Sequence, residues 1–181
     1  MLVMKFGGSS IANPERIKNM IEIVRGRQEQ YNKVVVVCSA FGGVTDQIIK
    51  TARLAESQNP QFQTEYQAIK DRHLSIAEEL ITSDDKLILF EEILEGLREM
   101  EKLLKGIFLL GACPDKSLAA LSSFGERFSC FIISSAMKSV GIASMYVNAS
   151  QVISTDSTYL NAKVDLPTTN KNINQLVEHL N

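Results

Sequence analysis

Apolar residues occur along this chain in two patterns, which predict two kinds of secondary structure. Residues 3–6 and 34–37 are short apolar runs that predict strands, and Lys5 lies near the end of the first run. The second run is β-branched without polar alternation, which favours a central parallel strand covered on both faces. A glycine-rich turn and a predicted helix follow each run. The pattern therefore predicts α/β organisation, with both turns at the carboxyl edge of a parallel sheet.

Helical spacing begins at Asn13, which we expect to be the N-cap of a first helix with Pro14 at its first position. The buried face of this helix is predicted to consist of Ile17, Met20, Ile21 and Val24. Further helices are predicted at residues 46–57, at residues 117–140 with Gly141 as the C-terminal stop, and at residues 170–180. An antiparallel helical hairpin is expected at about residues 61–108, interrupted at residues 83–85. Short strands are predicted at residues 143–147, 152–153 and 162–166.

Composition and charge narrow the classes of function. The 181 residues suffice for one domain with a sizeable core. A net charge of −2 and a sequence pI near 5.8 suggest neither a nucleic-acid partner nor a membrane surface. The chain shows no apolar run of transmembrane length and no signal pattern, so we expect a soluble cytoplasmic protein.

Cysteine and histidine are too sparse to suggest a metal centre. The cysteines Cys38, Cys113 and Cys130 are odd in number and widely spaced, which is typical of a reducing compartment. We expect no metal ion held by the protein itself. Cys38 and Cys130 are interpreted as small core residues, and His73 as a packed histidine on an apolar helical stripe.

The first glycine-rich turn is the strongest candidate for ligand binding. Gly7 and Gly8 allow a tight turn and a close backbone approach to a ligand, while helix N–H groups and Lys5 add positive charge. These features suit an anion such as phosphate. From the residues alone, an ordinary strand-to-helix turn explains them equally well. The chain contains neither G-x-x-x-x-G-K-[ST] nor G-x-G-x-x-G, so a Walker-type loop and a dinucleotide fingerprint are excluded.

Three motifs of this chain resemble those of aspartokinases. Residues 5–10, Lys-Phe-Gly-Gly-Ser-Ser, are similar to the K-F-G-G-[ST]-S signature of that family. Residues 39–45, which begin Ser-Ala and end Val-Thr, resemble its second substrate loop, and Gly125-Glu126 resembles a Gly-Glu pair on its long helix. Residues 106–115 resemble the bifunctional aspartokinase–homoserine dehydrogenases in particular. The resemblance implies a three-layer α/β/α sandwich with a mainly parallel sheet.

The resemblance also implies a reaction, transfer of the γ-phosphoryl group of ATP to the β-carboxylate of L-aspartate, in lysine, threonine and methionine biosynthesis. Gly7, Gly8 and Ser9 would bind phosphate oxygens, and Lys5 would be the catalytic residue that neutralises charge on the transferred group. Magnesium would arrive with ATP. NADP(H) would be required only if a homoserine dehydrogenase domain follows, and a homo-oligomer is expected.

By the same resemblance, Ser39 and Thr45 would hold aspartate, and Glu126 would pair with its α-ammonium group. The residues alone leave alternatives open. The two hydroxyl groups could cap the helix that follows the turn. Glu126 could point to water or pair with its neighbour Arg127, which is itself interpreted as structural.

One feature of aspartokinases is absent from these residues, an Arg-Gly-x-Ser-Asp segment that supplies an arginine for the substrate and an aspartate near the phosphates. We therefore expect residues 1–181 to be the N-terminal part of an aspartokinase catalytic domain, without its nucleotide-binding part and inactive or nearly so in isolation. An open sheet edge, exposed apolar surface and self-association are also expected. Another kinase of the amino-acid kinase superfamily, and a non-catalytic module for oligomerisation or ligand sensing, are the alternatives.

Overall fold

The computed structural model describes residues 1–82 and 86–179. The elements in these ranges are β1 (Leu2–Phe6), a 3₁₀ helix (Gly8–Ile11), α1 (Pro14–Gln28), β2 (Val34–Cys38), α2 (Val44–Glu56), α3 (Phe62–Leu80), α4 (Lys86–Leu110), α5 (Asp115–Ser139), a second 3₁₀ helix (Ala149–Gln151) and α6 (Leu166–His179). The chain forms two compact units, residues 1–145 and residues 146–181. The predicted interruption at residues 83–85 lies outside the described residues.

The two strands form a parallel pair, as the apolar runs predict. Leu2 lies opposite Val34 and Phe6 lies opposite Cys38. Beyond the last pair, the backbone N–H of Ser39 donates to the carbonyl oxygen of Phe6 at 3.1 Å. Because the strands are parallel, the loops that follow them leave the sheet at the same edge.

The prediction that residues 34–37 are covered on both faces is wrong for this chain. Val34 and Val36 pack against the core, whereas Val35 is 42% exposed and Val37 is 45% exposed. Val3 on β1, paired with Val35, is 59% exposed. Side chains alternate between the faces of a strand, so one face of this two-stranded sheet packs on the core. The other face is open, and it is apolar except for Lys5.

The first helix follows its sequence signals closely. The side chain of Asn13 caps α1, accepting from the backbone N–H of Arg16 at 2.9 Å, and Pro14 occupies the first position. The four apolar positions predicted to be buried are all buried. They place α1 against the core of the first unit.

The helical hairpin and the long helix are also confirmed. In α3 the apolar stripe is buried, and His73 within it has no exposed surface. The helix α5 ends at Ser139, and Gly141 takes a left-handed φ of 80°. The backbone N–H of Ile142 then donates to Met137 O at 2.9 Å, which closes the last turn. Gly141 is therefore the stop that the sequence predicts.

The structure differs from the prediction at residues 143–145, which end the first unit, and in the second unit. Residues 143–147 and 152–153 do not form strands, and of residues 162–166 only Val164 pairs, in a single antiparallel bridge with Thr155. A strand needs a hydrogen-bonding neighbour, and within the described part of this unit that bridge is all the pairing there is. The helix α6 begins at Leu166 rather than at residue 170, because Asp165 accepts from the backbone N–H of Thr168 at 3.2 Å.

Among the described residues, no helix is both long enough and apolar enough to cross a membrane.

Candidate functional site

The two glycine-rich loops, here the first loop (residues 7–12) and the second loop (residues 39–43), touch each other through their backbones. A Cβ added to Gly8 would lie 3.0 Å from Ala40 O and 3.4 Å from Gly42 Cα. One added to Gly42 would lie 3.1 Å from Gly8 O and 3.1 Å from Ala12 Cβ. Since a side chain at either position would separate the loops, glycine is required here for close approach.

The second loop leads directly into α2 through Gly43, which has a left-handed φ of 80°. Gly43 is the N-cap of α2, and no side chain caps this helix. The alternative that Ser39 or Thr45 caps α2 is therefore wrong. In the part of the chain that the structure describes, neither hydroxyl group has a hydrogen-bond partner, and both residues are half-buried. Both remain available to a ligand.

The helix α5 carries Glu126 to the second loop. A carboxylate oxygen of Glu126 accepts from the backbone N–H of Ala40 at 3.4 Å. The preceding residue, Gly125, is buried, and a Cβ on it would lie only 2.8 Å from Ala40 Cβ. The long hydrogen bond is weak and engages one oxygen of Glu126. The other carboxylate oxygen has no hydrogen-bond partner among the described residues.

Arg127 does not pair with Glu126. Its guanidinium group lies 3.4 Å from a carboxylate oxygen of Glu99 and 4.5 Å from the centre of the Phe124 ring. The contact with Glu99 joins α5 to α4, whereas Phe124 lies on α5 itself, so the structural interpretation of Arg127 holds. The negative charge of Glu126 is left without a cationic partner in the described part of the chain.

A residue that the sequence analysis did not identify, Ser129, fixes the start of the second loop. Ser129 is fully buried, and its hydroxyl group donates to Ser39 O at 2.6 Å. It lies three residues after Glu126, hence on the same face of α5. That spacing was the signal available in the sequence.

The Cys130 thiol, one residue further, contacts Cys38 at the end of β2. The thiol of Cys130 donates to Cys38 O at 3.7 Å. A hydrogen bond between the two side chains lowers the pKa of Cys130 below its usual value. That same hydrogen bond, with burial, raises the pKa of Cys38 above its usual range. Both thiols pack at the junction of β2 and α5 as small residues, in agreement with the sequence-based interpretation.

Arg72 on α3 is the second residue that the sequence analysis missed. One guanidinium nitrogen, Nη2, donates to Gly42 O at 2.8 Å and to Ala12 O at 3.2 Å. The neighbouring His73 packs its ring between those of Phe41, at 5.5 Å between centroids, and Phe128, at 5.1 Å. Two consecutive residues of α3 thus contact the second loop. An arginine beside an apolar stripe was the only sequence signal for this role.

Lys5 lies on the exposed side of β1, next to the first loop. It has no ion-pair or hydrogen-bond partner among the described residues, and no contact joins it to Glu126. Within the first loop, Gly7 O accepts from the backbone N–H of Ser10 at 2.9 Å, and Ser9 O accepts from the guanidinium group of Arg16. The carbonyl groups of Gly7 and Ser9 thus accept hydrogen bonds from donors within the protein.

The arrangement combines two charged groups of opposite sign, Lys5 and Glu126, and neither has an ion-pair partner in the described ranges. The structure brings Gly8, the second loop and Glu126 together, while Lys5 stands beside the first loop on the strand itself. No group of three or more histidine, cysteine, aspartate or glutamate side chains that could hold a metal ion occurs in residues 1–82 and 86–179. Such a site can bind an anion at the first loop and a hydrogen-bonding, positively charged group at the second.

Comparison with known proteins gives consistent results. An aspartokinase of Chlamydia trachomatis is 32% identical over 165 residues, which cover 91% of this chain and 34% of that protein. An aspartokinase of Candida albicans is 30% identical over 160 residues, covering 84% of this chain and 28% of that protein. A bifunctional aspartokinase/homoserine dehydrogenase of Buchnera aphidicola is 27% identical over 183 residues, covering 97% of this chain and 22% of that protein. The chain thus spans about a third or less of the length of these relatives.

Solved structures support the fold. Escherichia coli aspartokinase III in complex with aspartate and ADP superposes with a TM-score of 0.86 at 24% identity, covering 99% of this chain and 38% of that chain. The complex of the same enzyme with lysine and aspartate gives a TM-score of 0.85. This similarity confirms the predicted α/β fold. A profile of the amino acid kinase family matches residues 1–181. The chain therefore belongs to the amino acid kinase family.

Proposed function

We propose that this chain provides the phosphate-binding and aspartate-binding part of an aspartate kinase. Such an enzyme transfers the γ-phosphoryl group of ATP to the β-carboxylate of L-aspartate. One observation carries the proposal: the carboxylate of Glu126, which has no cationic partner among the described residues, lies against a loop whose backbone touches the glycine loop next to Lys5. The relatives named aspartokinase, with and without a homoserine dehydrogenase, agree with this substrate.

At the first loop, Lys5 supplies the charge. Its ammonium group about 4 Å from a phosphate oxygen would contribute about 4 kcal/mol at an effective dielectric constant near 20. The backbone N–H groups of Gly7, Gly8 and Ser9, with the Ser9 hydroxyl, add hydrogen bonds to other phosphate oxygens. Lys5 is thus the dominant single contribution to phosphate binding and to neutralising the charge of the transferred group.

At the second loop, Glu126 would form a charge-assisted hydrogen bond with the α-ammonium group of aspartate. The hydroxyl groups of Ser39 and Thr45 would orient the substrate carboxylates. Both hydroxyl groups and one oxygen of Glu126 are unengaged in the described residues, so binding would break no internal hydrogen bond to a side chain. Because ligand binding would not have to compensate for lost internal hydrogen bonds, these groups favour a ligand at this position.

ATP would supply the phosphoryl group and carry Mg²⁺, which the phosphates themselves would largely coordinate. The carboxylate oxygen of aspartate attacks the γ-phosphorus as the bond to the leaving oxygen of ADP breaks. We place residues 1–181 in the N-terminal part of a catalytic domain that includes an inserted hairpin, α3 and α4. A homo-oligomer, and a following homoserine dehydrogenase domain with its NADP(H), belong to the same proposal.

Calorimetric titration of the 181-residue chain with L-aspartate tests the proposal. The Arg-Gly-x-Ser-Asp segment is not among these residues, so we expect binding without turnover. Glu126→Gln keeps the shape of the side chain and removes its charge. It should weaken L-aspartate binding by about tenfold or more, since a charged hydrogen bond contributes about 1.5–3 kcal/mol.

Two comparisons make the titration specific. Glu92→Gln, an exposed position of α4, should leave the affinity unchanged. Succinate, which lacks the ammonium group, should bind wild-type protein and Glu126→Gln equally weakly. Equal L-aspartate affinity in the wild type and in Glu126→Gln would exclude the assigned role of Glu126. Absence of any binding to the wild-type chain would count against the proposed function.

A further inference from the structure

Arg72 connects three segments that are distant in sequence. It lies on α3, within the helical hairpin, and its Nη2 atom donates to Ala12 O of the first loop and Gly42 O of the second. An amide-like NH₂ group of guanidinium has two hydrogens, so one nitrogen can serve both carbonyl groups. The two loops therefore share a single donor.

The shared donor lies where the loops are closest. A Cβ on Gly42 would meet both Ala12 Cβ and Gly8 O at 3.1 Å. Without the guanidinium group of Arg72, the carbonyl groups of Ala12 and Gly42 would no longer be joined through one donor at this point of contact. A water molecule in its place would give these half-buried carbonyl groups a neutral donor instead of a charged one, and hydrogen bonds from a charged donor are the stronger kind.

The separation of the loops matters for group transfer. Under the proposed function, the first loop holds the phosphoryl group and the second holds the acceptor carboxylate. A displacement of about 1 Å between reacting groups can reduce the rate of a reaction by about 100-fold. A residue that fastens both loops at their point of contact determines this displacement without touching either ligand.

We propose that Arg72 is a positioning residue that sets the separation of the first and second loops, an inference that rests on the proposed function. The role belongs to α3, and it gives the inserted hairpin a function beyond packing. His73, the next residue, packs its ring against the Phe41 ring of the second loop, so α3 contacts this loop at two adjacent positions.

Amide hydrogen exchange tests the proposal on the 181-residue chain without requiring a ligand. The N–H of Ser10 donates to Gly7 O, and the N–H of Val44 donates to Phe41 O, both at 2.9 Å, so each reports on one loop. In Arg72→Gln, exchange at both positions should accelerate by about tenfold relative to amides of α4. Arg72→Lys retains a charged donor but not the planar fork, and it should give an intermediate acceleration.

Tyr66→Phe is the matched control. Tyr66 lies on the same helix, and its hydroxyl group donates to Leu97 O of α4 at 3.0 Å, away from both loops. This variant should lower the stability of the hairpin without a selective effect at Ser10 or Val44. The same profile in Arg72→Gln as in Tyr66→Phe would overturn the proposal. If Arg72→Gln does not fold, Arg72→Lys decides, and wild-type exchange at both amides in that variant would overturn it.

A second measurement separates this inference from the proposed function. The chain is titrated with L-aspartate in the presence and in the absence of inorganic triphosphate. In the presence of triphosphate, the affinity of Arg72→Gln for L-aspartate should be about tenfold lower than that of the wild type. Should the wild-type chain bind neither probe, the proposed function fails, while the exchange experiment still decides the role of Arg72. If Arg72→Gln binds both probes as the wild type does and its loop amides exchange at the wild-type rate, both measurements contradict the inference.

Discussion

At the scale of single residues, the site depends on groups whose partners are known and on groups left unpaired. Glu126, Ser39 and Thr45 each retain polar atoms without a partner among the described residues, whereas Ser129 and Arg72 are engaged with loop carbonyl groups. The sequence motifs identified Glu126, Ser39 and Thr45 because those residues would touch ligand. They could not identify Ser129 and Arg72, because nothing in local spacing specifies which distant carbonyl group a donor will meet.

A single residue, His73, should make the stability of the folded chain depend on pH. Its Nδ1 lies 2.7 Å from Ile69 O, so Nδ1 carries the proton, and its buried Nε2 has no partner among the described residues. Burial, together with the neighbouring charge of Arg72, lowers the pKa of His73 from 6.5 to about 4. The unfolded chain therefore binds a proton at His73 between about pH 6.5 and pH 4 that the folded chain does not.

The free energy of unfolding should consequently fall as the pH is lowered through this window, by about 2–3 kcal/mol from His73 alone. Urea unfolding of the wild type and of His73→Leu, near pH 7 and near pH 4.5, measures this contribution. The variant should lose less stability on acidification by about that amount. Equal acid-induced losses in the two proteins would show that His73 is not the group responsible.

At the scale of elements, the decisive contact is that of α5 with the second loop. Glycine-rich stretches in the sequence predicted both loops, and three-and-four spacing predicted α1, α3 and α4. A long apolar stretch that ends at Gly141 predicted α5. The strand predicted at residues 143–147 was wrong because periodicity describes one segment, whereas a strand requires a neighbour to pair with. The start of α6 was missed because Asp165, its cap, lay inside a predicted strand.

Gly125→Ala tests how closely α5 must approach the second loop. The new Cβ would lie 2.8 Å from Ala40 Cβ, which is fixed to the backbone, so helix or loop must move. We expect a loss of about 1–3 kcal/mol in the free energy of unfolding, less the higher helix propensity of alanine, and weaker L-aspartate binding.

Gly106→Ala in α4 is the control, because a Cβ there has no neighbour within 4 Å. It should stabilise the chain by up to about 1 kcal/mol, through helix propensity alone. Urea denaturation compares the two. If both alanine variants were equally stabilised, the close approach at Gly125 would have no energetic consequence.

At the scale of the whole molecule, the first unit has an open sheet face formed by Val3, Val35 and Val37, with Lys5 beside Val37 on the same face. The sequence predicted exposed apolar surface, but it also predicted that the second strand would be covered on both sides. Composition cannot distinguish these outcomes, since a β-branched run is equally suited to a covered face and to one that awaits a partner. The sheet has two strands here, so each strand is also an edge.

We expect this face to cause self-association of the 181-residue chain. The double substitution Val35→Thr and Val37→Thr keeps β propensity and removes apolar area, and it should raise the dissociation constant by about tenfold or more. Light scattering over a dilution series measures the change. Val140→Thr, a similarly exposed valine at the end of α5, should have no effect. A wild-type chain that is monomeric throughout the series would contradict the prediction.

The backbone contact between Gly8 and Gly42 gives the site a one-sided tolerance of mutation. Every substitution at either position adds atoms, so variation there can only widen the gap between the loops. Of these positions, only Ala12 in the first loop has a side-chain atom against Gly42 that can be removed, so only its substitution by glycine could narrow the gap. Under the proposed function, libraries built on these three positions should therefore yield many variants that accept a longer acceptor and few that accept a shorter one. For the proposed aspartate kinase, selectivity for acceptor length would then be easier to relax than to tighten.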